Sequence, residues 1–187
     1  MPRSTSGGGP VTSEGVTHTR PLILTLTLEP ALAEPLNELR RRHFPPERNF
    51  LDAHVTLFHA LPGTHERTIR QDLEAHCSAT PAFEVRVPRI RQWGRGVFAE
   101  LTSPELHGFR GDLAALWGDL LTPQDRRAFK PHVTVQNKVP EAEAQALYAA
   151  LEPRWRPLSG RATGAELWVY AGGPWEGAAA FSFAPER

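Results

Sequence analysis

Two copies of one short motif carry the most specific chemical signal in this sequence. The tetrapeptide His-Val-Thr-Leu occupies residues 54–57, and His-Val-Thr-Val begins 78 residues later, at residues 132–135. One His-x-Thr arises easily by chance, but two copies of His-Val-Thr-aliphatic are expected in about one such chain in ten thousand or fewer. The repeat therefore predicts that both copies serve the same site.

The spacing within each motif suits chemistry at a phosphate ester. Side chains two residues apart on a strand project from one face, so His54 points with Thr56, and His132 with Thr134. Two imidazoles that titrate near neutral pH can act as the base on an entering oxygen and the acid on a leaving oxygen. The hydroxyl groups can donate hydrogen bonds to the other phosphate oxygens. Either histidine can take either role.

Apolar periodicity predicts the elements that position these motifs. Helices are predicted from residue 30 to about 42, and at 64–77, 104–120 and 140–151. Strands are predicted at about 22–28, 53–60, 83–92, 97–101, 131–138, 163–170 and 178–183. The order strand, helix, strand, helix, strand thus occurs twice, with a motif in the middle strand of each copy.

This pattern predicts an α+β fold made of a duplicated unit, with antiparallel or mixed sheets in two lobes that flank a central cleft. We expect a single domain from residue 21 to 187, with lobe halves of about 21–93 and 94–187. Residues 1–20 contain Gly7-Gly8-Gly9-Pro10 and no apolar period. They are predicted to be a disordered tail.

Charge and composition exclude several classes of protein. The 187 residues include 21 basic and 21 acidic side chains, so zero net charge argues against bulk capture of duplex DNA or an anionic membrane. One cysteine, Cys77, cannot form an internal disulfide, and no apolar run is long enough to span a membrane. We expect a soluble, monomeric, cytoplasmic protein.

The sequence resembles the two-histidine phosphoesterase superfamily, which includes RNA 2′,3′-cyclic phosphodiesterases and the proteins called 2′-5′ RNA ligases. The likeness rests on the two intact motifs and their surroundings, FLDAHVTLFHALPG at residues 50–63 and FKPHVTVQNK at residues 129–138, and it spans about residues 21–183. It implies a bilobal α+β fold, metal-independent catalysis and no cofactor. It also implies substrates that end in a cyclic phosphate or contain a 2′-5′ bond, with catalytic residues His54, Thr56, His132 and Thr134.

Three polar residues near the second motif are candidates for substrate binding. On a regular strand, Gln136 and Lys138 share the face of His132, so Lys138 could reach a phosphate or a ribose. The alternative is a solvated lysine at a strand end. Lys130 is a weaker candidate because it precedes Pro131, where the strand begins.

Aromatic side chains near the motifs are candidates for stacking on a base. Phe58 is expected on the face of His54, while Phe98 and Trp93 bracket a glycine-containing turn. Packing in the core is the commoner role for each of them. His59 is expected on the opposite strand face from His54, which excludes it from the site.

No metal site is predicted, because no other histidine has a partner at ligand spacing. The arginines at 40–42, and those at 86, 89 and 91, could attract an RNA backbone, but we interpret them as solvated faces balanced by acidic neighbours.

The leading functional hypothesis is hydrolysis of a 2′,3′-cyclic phosphate, on RNA ends or on nucleotides, to a 2′-phosphate. The same site could also join a 5′-hydroxyl to the cyclic phosphate as a 2′-5′ bond, in a reversible reaction. A second hypothesis keeps the site but changes the substrate to another small cyclic or 2′-5′ linked nucleotide. The third is a nucleotide- or RNA-binding protein without turnover.

Overall fold

Seven β-strands and four α-helices follow one another in the computed structural model, which describes residues 19–185. The strands are β1 Leu22–Leu28, β2 Val55–Leu61, β3 Phe83–Trp93, β4 Gly96–Thr102, β5 His132–Asn137, β6 Leu158–Val169 and β7 Glu176–Ser182. The helices are α1 Pro30–His43, α2 Glu66–Ala79, α3 Pro104–Leu116 and α4 Glu141–Leu151. Each element coincides with a predicted one to within a few residues. Nearly all of the predicted tail lies outside the described residues.

The strands pair in the order β1-β2-β5-β4-β3-β6-β7, and every pair of these strands is antiparallel. β1 also pairs with β6. Six strands therefore form a closed circuit, and β7 extends from β6. The predicted α+β class with antiparallel strands is confirmed.

The strands of the two sequence halves are interleaved. β3, the third strand of the first half, pairs with β4 and with the N-terminal part of β6. The C-terminal part of β6 returns to the first half and pairs with β1. The domain and lobe boundaries expected from the sequence stay predictions. Strands on the two sides of residue 93 pair with each other, so the strand pairing does not divide the chain there.

The core explains why these segments fold as they do. The leucines of β1 are buried, and α1 begins with Pro30 at its first turn, where a proline is tolerated. α1 turns the side chains of Leu32, Leu36 and Arg40 inward, at a spacing of four residues. Ser103 caps α3, since its hydroxyl accepts a hydrogen bond from the Leu106 amide at 3.3 Å.

A β-bulge interrupts β2 directly after the threonine of the first motif. Thr56 pairs with Thr25, whereas Phe58 pairs with Leu24, so Leu57 is an extra residue on β2. An extra residue reverses the alternation of side chains beyond it. Phe58 is therefore turned to the opposite face from Thr56.

β5 has the same irregularity at the equivalent position. Thr134 pairs with Phe98, whereas Gln136 pairs with Val97, so Val135 is the extra residue. The two motifs thus share a local backbone irregularity as well as a sequence, and in each the residue two beyond the threonine leaves the face of the motif.

Among residues 19–185, no helix is long and apolar enough to cross a membrane.

Candidate active site

The four polar side chains of the two motifs are brought together where β2 meets β5. The central valines of the motifs pair with each other across these antiparallel strands. This register sets His54 opposite Thr134, and Thr56 opposite His132. The arrangement has a local two-fold symmetry, so each threonine accompanies the histidine of the other motif as well as its own.

Both histidines are held in the same way. Nδ1 of His54 lies 2.7 Å from the carbonyl oxygen of Asp52, and Nδ1 of His132 lies 2.8 Å from that of Lys130. A carbonyl oxygen can only accept, so Nδ1 must carry the proton in each ring. In the neutral imidazole, Nε2 is then left as a proton acceptor for the cleft.

Burial sets the protonation of these rings. It lowers the pKa of His54 to about 4, and the positive charge of Arg40 and that of His132 act in the same direction, against the hydrogen bond to Asp52. Burial also lowers the pKa of His132, against its bond to Lys130. Both rings are therefore mainly neutral at pH 7, and each can act as a base.

A buried arginine connects the two halves of the site. Arg40 of α1 is 4% exposed. Its Nη1 donates to the carbonyl oxygen of Thr134 at 2.7 Å, and its Nη2 donates to Asn49 Oδ1 at 2.8 Å and to the Leu51 carbonyl at 3.0 Å. The guanidinium thus fixes the second motif against the segment that leads into the first, and places a positive charge beside the cleft.

Aromatic rings flank both histidines. The ring of Trp175, in the connection between β6 and β7, has its centroid 5.1 Å from that of His54. On the other side, the rings of Phe98 and Trp93 lie 5.1 and 5.7 Å from His132. The Phe98 side chain is 8% exposed and its ring lies 5.1 Å from that of Trp93, which is 40% exposed. Trp93 therefore offers the open face on this side.

A pocket of about 740 Å³ opens beside His54. Its walls come from β1, α1, the segment before β2, β6 and Trp175, and they include Thr25, Glu166 and Trp168. This volume lies in the range of small-molecule sites, roughly 300–1,000 Å³.

The predicted role of Phe58 in stacking on a base is wrong. Its side chain is 0% exposed, its ring packs edge-on against Trp117 at 5.3 Å, and the guanidinium of Arg110 covers it at 4.5 Å. The bulge at Leu57 is the physical reason, because it turns Phe58 into the core.

The predicted place of Gln136 on the face of the second motif is also wrong. The residue is 4% exposed, and its Nε2 donates to Glu143 of α4 at 3.1 Å. Lys138 lies beyond the end of β5, is exposed, and has a left-handed backbone with φ of 61°. Lys138 therefore does not extend the strand face that carries His132, and a contact between its side chain and a phosphate stays a prediction. The side chain of Lys130 is exposed, and its carbonyl group is what contacts His132.

His59 was expected to lie away from the site, but its charge contributes to the lowered pKa of His132. The bulge after Thr56 again accounts for the difference. Nδ1 of His59 lies 3.0 Å from Oδ1 of Asp125, a buried carboxylate that also accepts the amides of His59 and Ala60. His59 is therefore a fixed neighbour of the site.

Sequence reasoning missed two contributors to the site. The interpretation of the arginines at 40–42 as a solvated face is wrong for Arg40, and the four-residue spacing from Leu32 and Leu36 was a signal for its burial. Trp175 follows a glycine- and proline-rich connection, and no periodic pattern pointed to it. Within residues 19–185, no group of three or more His, Cys, Asp or Glu side chains is arranged to hold a metal ion.

Comparison with known proteins agrees with this geometry. The family model of the 2′-5′ RNA ligase superfamily matches residues 28–174. Among solved structures, TT0787 of Thermus thermophilus has a TM-score of 0.65 at 19% identity, over 89% of this chain and 100% of that one. E. coli LigT complexed with 3′-AMP has a TM-score of 0.58 at 20% identity, over 88% and 98%. No curated protein sequence matches. The family match covers most of the chain and both motifs, and the chain therefore belongs to the 2′-5′ RNA ligase superfamily.

Proposed function

We propose that this protein hydrolyses the 2′,3′-cyclic phosphate of RNA ends or nucleotides to a 2′-phosphate, without a metal ion or cofactor. The observation that carries the proposal is the symmetric pair of histidines. Each has Nδ1 fixed by a carbonyl group, its Nε2 available, and a threonine of the other motif opposite. With a phosphate group between the two rings, one ring can take a proton from the entering oxygen and the other can give a proton to the leaving oxygen.

The reaction follows from this arrangement. Nε2 of one histidine takes a proton from water as the water oxygen bonds to phosphorus, and the bond from phosphorus to the ribose 3′-oxygen breaks. Nε2 of the other histidine gives its proton to that oxygen. With a 5′-hydroxyl in place of water, the same ring-opening step yields a 2′-5′ bond, and that step is reversible. Thr56 and Thr134 donate to the non-bridging oxygens.

One histidine must be protonated when the reaction starts, although burial keeps both mainly neutral in the free protein. The negative charge of the bound phosphate brings one histidine to its protonated form, because an anion next to an imidazole raises the pKa of that imidazole. Substrate binding and uptake of one proton are therefore coupled in this mechanism.

Structures of E. coli LigT with 3′-AMP, NADP+ and ATP support a nucleotide as the ligand. The pocket beside His54 has room for a nucleotide, which favours a second candidate: a phosphodiesterase for another small cyclic or 2′-5′ linked nucleotide. Cys77 is buried and unpaired, which fits a monomer in the reducing cytoplasm.

The test uses purified protein in EDTA. It is incubated with each nucleoside 2′,3′-cyclic monophosphate and with an RNA that ends in a cyclic phosphate, and chromatography separates 2′- from 3′-phosphate products. We expect 2′-phosphates, with turnover lowered by about 10² or more in His54→Ala and His132→Ala. His65→Ala, which removes an exposed histidine, is the matched control.

Full activity in either motif variant would overturn this mechanism. Nucleotide binding by a folded protein that turns over none of the cyclic substrates would favour a binding protein instead.

A further inference from the structure

A row of residues leads from the catalytic threonine of the first motif into the pocket beside His54. Thr56 of β2 pairs with Thr25 of β1, Thr25 pairs with Glu166 of β6, and Glu166 pairs with Ala180 of β7. Directly paired residues of antiparallel strands share a face. Glu166 is thus on the face of Thr56, two strands away, or about 10 Å at the usual strand spacing.

The carboxylate of Glu166 is a polar group of this pocket that no hydrogen bond within the described residues uses. Glu166 is half-buried, and no donor among residues 19–185 bonds to its side chain. Its neighbours are committed elsewhere: Nε1 of Trp168 donates to the hydroxyl of Thr25 at 2.9 Å, and that hydroxyl lies 3.5 Å from the Glu166 carbonyl oxygen. A half-buried carboxylate without a donor is poorly satisfied, and a ligand that brings donors can satisfy it.

Two tryptophans make the pocket suitable for a planar ligand. The rings of Trp168 and Trp175 lie 6.3 Å apart at 58° to each other, and both line the pocket. Trp175 also contacts His54, so it joins this pocket to the catalytic cleft. Indole faces are the side-chain surfaces on which nucleobases stack.

Charge fixes the direction in which a nucleotide would lie. The charge of Arg40 attracts a phosphate to the cleft, where a histidine takes up a proton as the phosphate binds, whereas Glu166 repels a phosphate from the far end of the pocket. The phosphate therefore belongs beside Thr56 and the base beside Glu166. The distance from β2, which carries Thr56, to β6, which carries Glu166, is similar to the distance in a nucleotide from the phosphate to the far edge of the base.

We propose that this pocket is a guanine-selective base site, with Glu166 as the residue that determines specificity. A carboxylate accepts two parallel hydrogen bonds best from two adjacent donors. Guanine presents N1–H and the N2 amino group side by side. Adenine and cytosine present one amino group next to an acceptor, and uracil presents one N–H between two acceptors. The preferred substrate of the proposed reaction is therefore one whose terminal nucleoside is guanosine.

The proposal rests on the proposed function for the role of the cleft, so its test measures binding separately from turnover. The four nucleoside 2′-monophosphates, which have no cyclic phosphate to hydrolyse, are titrated into the full-length protein by calorimetry. We expect guanosine 2′-monophosphate to bind about tenfold more tightly than the other three, or better. We expect Glu166→Gln to abolish this preference, since an amide presents one acceptor and one donor.

Two further variants separate specificity from folding and from stacking. Glu152→Gln changes an exposed glutamate outside the pocket and should leave the preference intact. Trp175→Ala should weaken all four nucleotides by about tenfold, and Trp175→Phe should restore part of that loss. Circular dichroism establishes that each variant is folded.

Equal affinity for the four nucleotides, or a guanine preference that survives Glu166→Gln, would overturn the proposal. A guanine preference that depends on Glu166, in a protein that hydrolyses none of the cyclic phosphates, would uphold the base site while the proposed function fails. Hydrolysis of all four cyclic monophosphates with equal kcat/KM, together with equal binding of the four products, would uphold the proposed function while the guanine site fails.

Discussion

Burial of the His54 imidazole makes the folded protein sensitive to acid. It lowers the pKa of His54 to about 4, whereas a histidine in an unfolded chain titrates near 6.5. Between these values the unfolded state binds the proton more tightly, so the free energy of unfolding falls as the pH falls. From pH 7 to pH 4.5, linkage at this one group lowers the free energy of unfolding by about 2 kcal/mol.

Chemical unfolding of the wild type and of His54→Asn at these two pH values isolates the effect. Other titrating groups contribute to both proteins alike, so the wild type should lose about 2 kcal/mol more than the variant. His65→Asn removes an exposed histidine instead and should follow the wild type. If wild type and His54→Asn lost the same stability, the conclusion that partial burial keeps His54 neutral would be refuted.

Four further changes test other parts of the structure. Because both motif histidines have lowered pKa values, kcat/KM for the cyclic phosphate should fall about tenfold per pH unit above neutrality, and a flat profile to pH 9 would contradict this. Arg40→Met leaves three acceptors without their donor and should cost about 3 kcal/mol of unfolding free energy by urea titration, with Arg40→Lys costing less. Asp125→Asn removes one of two acceptor oxygens that together hold two amides, a hydroxyl and a ring, so a thermal melt should show a loss of about 1–3 kcal/mol. Gly96→Ala would place a Cβ 2.7 Å from the backbone oxygen of Gln136 and should destabilise by about 1–3 kcal/mol, whereas Gly108→Ala, at an exposed helix position with open space around it, should stabilise by up to about 1 kcal/mol. Equal effects would count against this close approach of β4 and β5 at Gly96.

The positions of the elements could be predicted from the sequence because each has a clear local period. The leucines of β1 and the stripe of α3 report on burial over a few residues, and Ser103 marks where α3 begins. The two His-x-Thr motifs could be found for the same reason, since a two-residue spacing is a local property.

The arrangement around the motifs could not be predicted in the same way. A bulge at Leu57 or Val135 depends on how the neighbouring strand pairs, and no residue type in either strand announces it. The predictions for Phe58 and Gln136 failed at this point, both by the same reversal of faces. Trp175 reaches His54 only through tertiary packing, so its contribution was outside the reach of sequence periodicity.

The interleaved strands bear on how such a chain could have originated. The third strand of each half pairs with the first strand of the other half: β3 with β4, and β6 with β1. This is the connectivity of a strand-exchanged homodimer whose two subunits have been joined end to end. Its symmetry axis would pass through the pair Val55 and Val133. A half-length ancestor with one His-x-Thr motif would then have assembled the whole reactive centre by dimerisation, before gene fusion let the two halves diverge into a base pocket beside His54 and an open tryptophan beside His132.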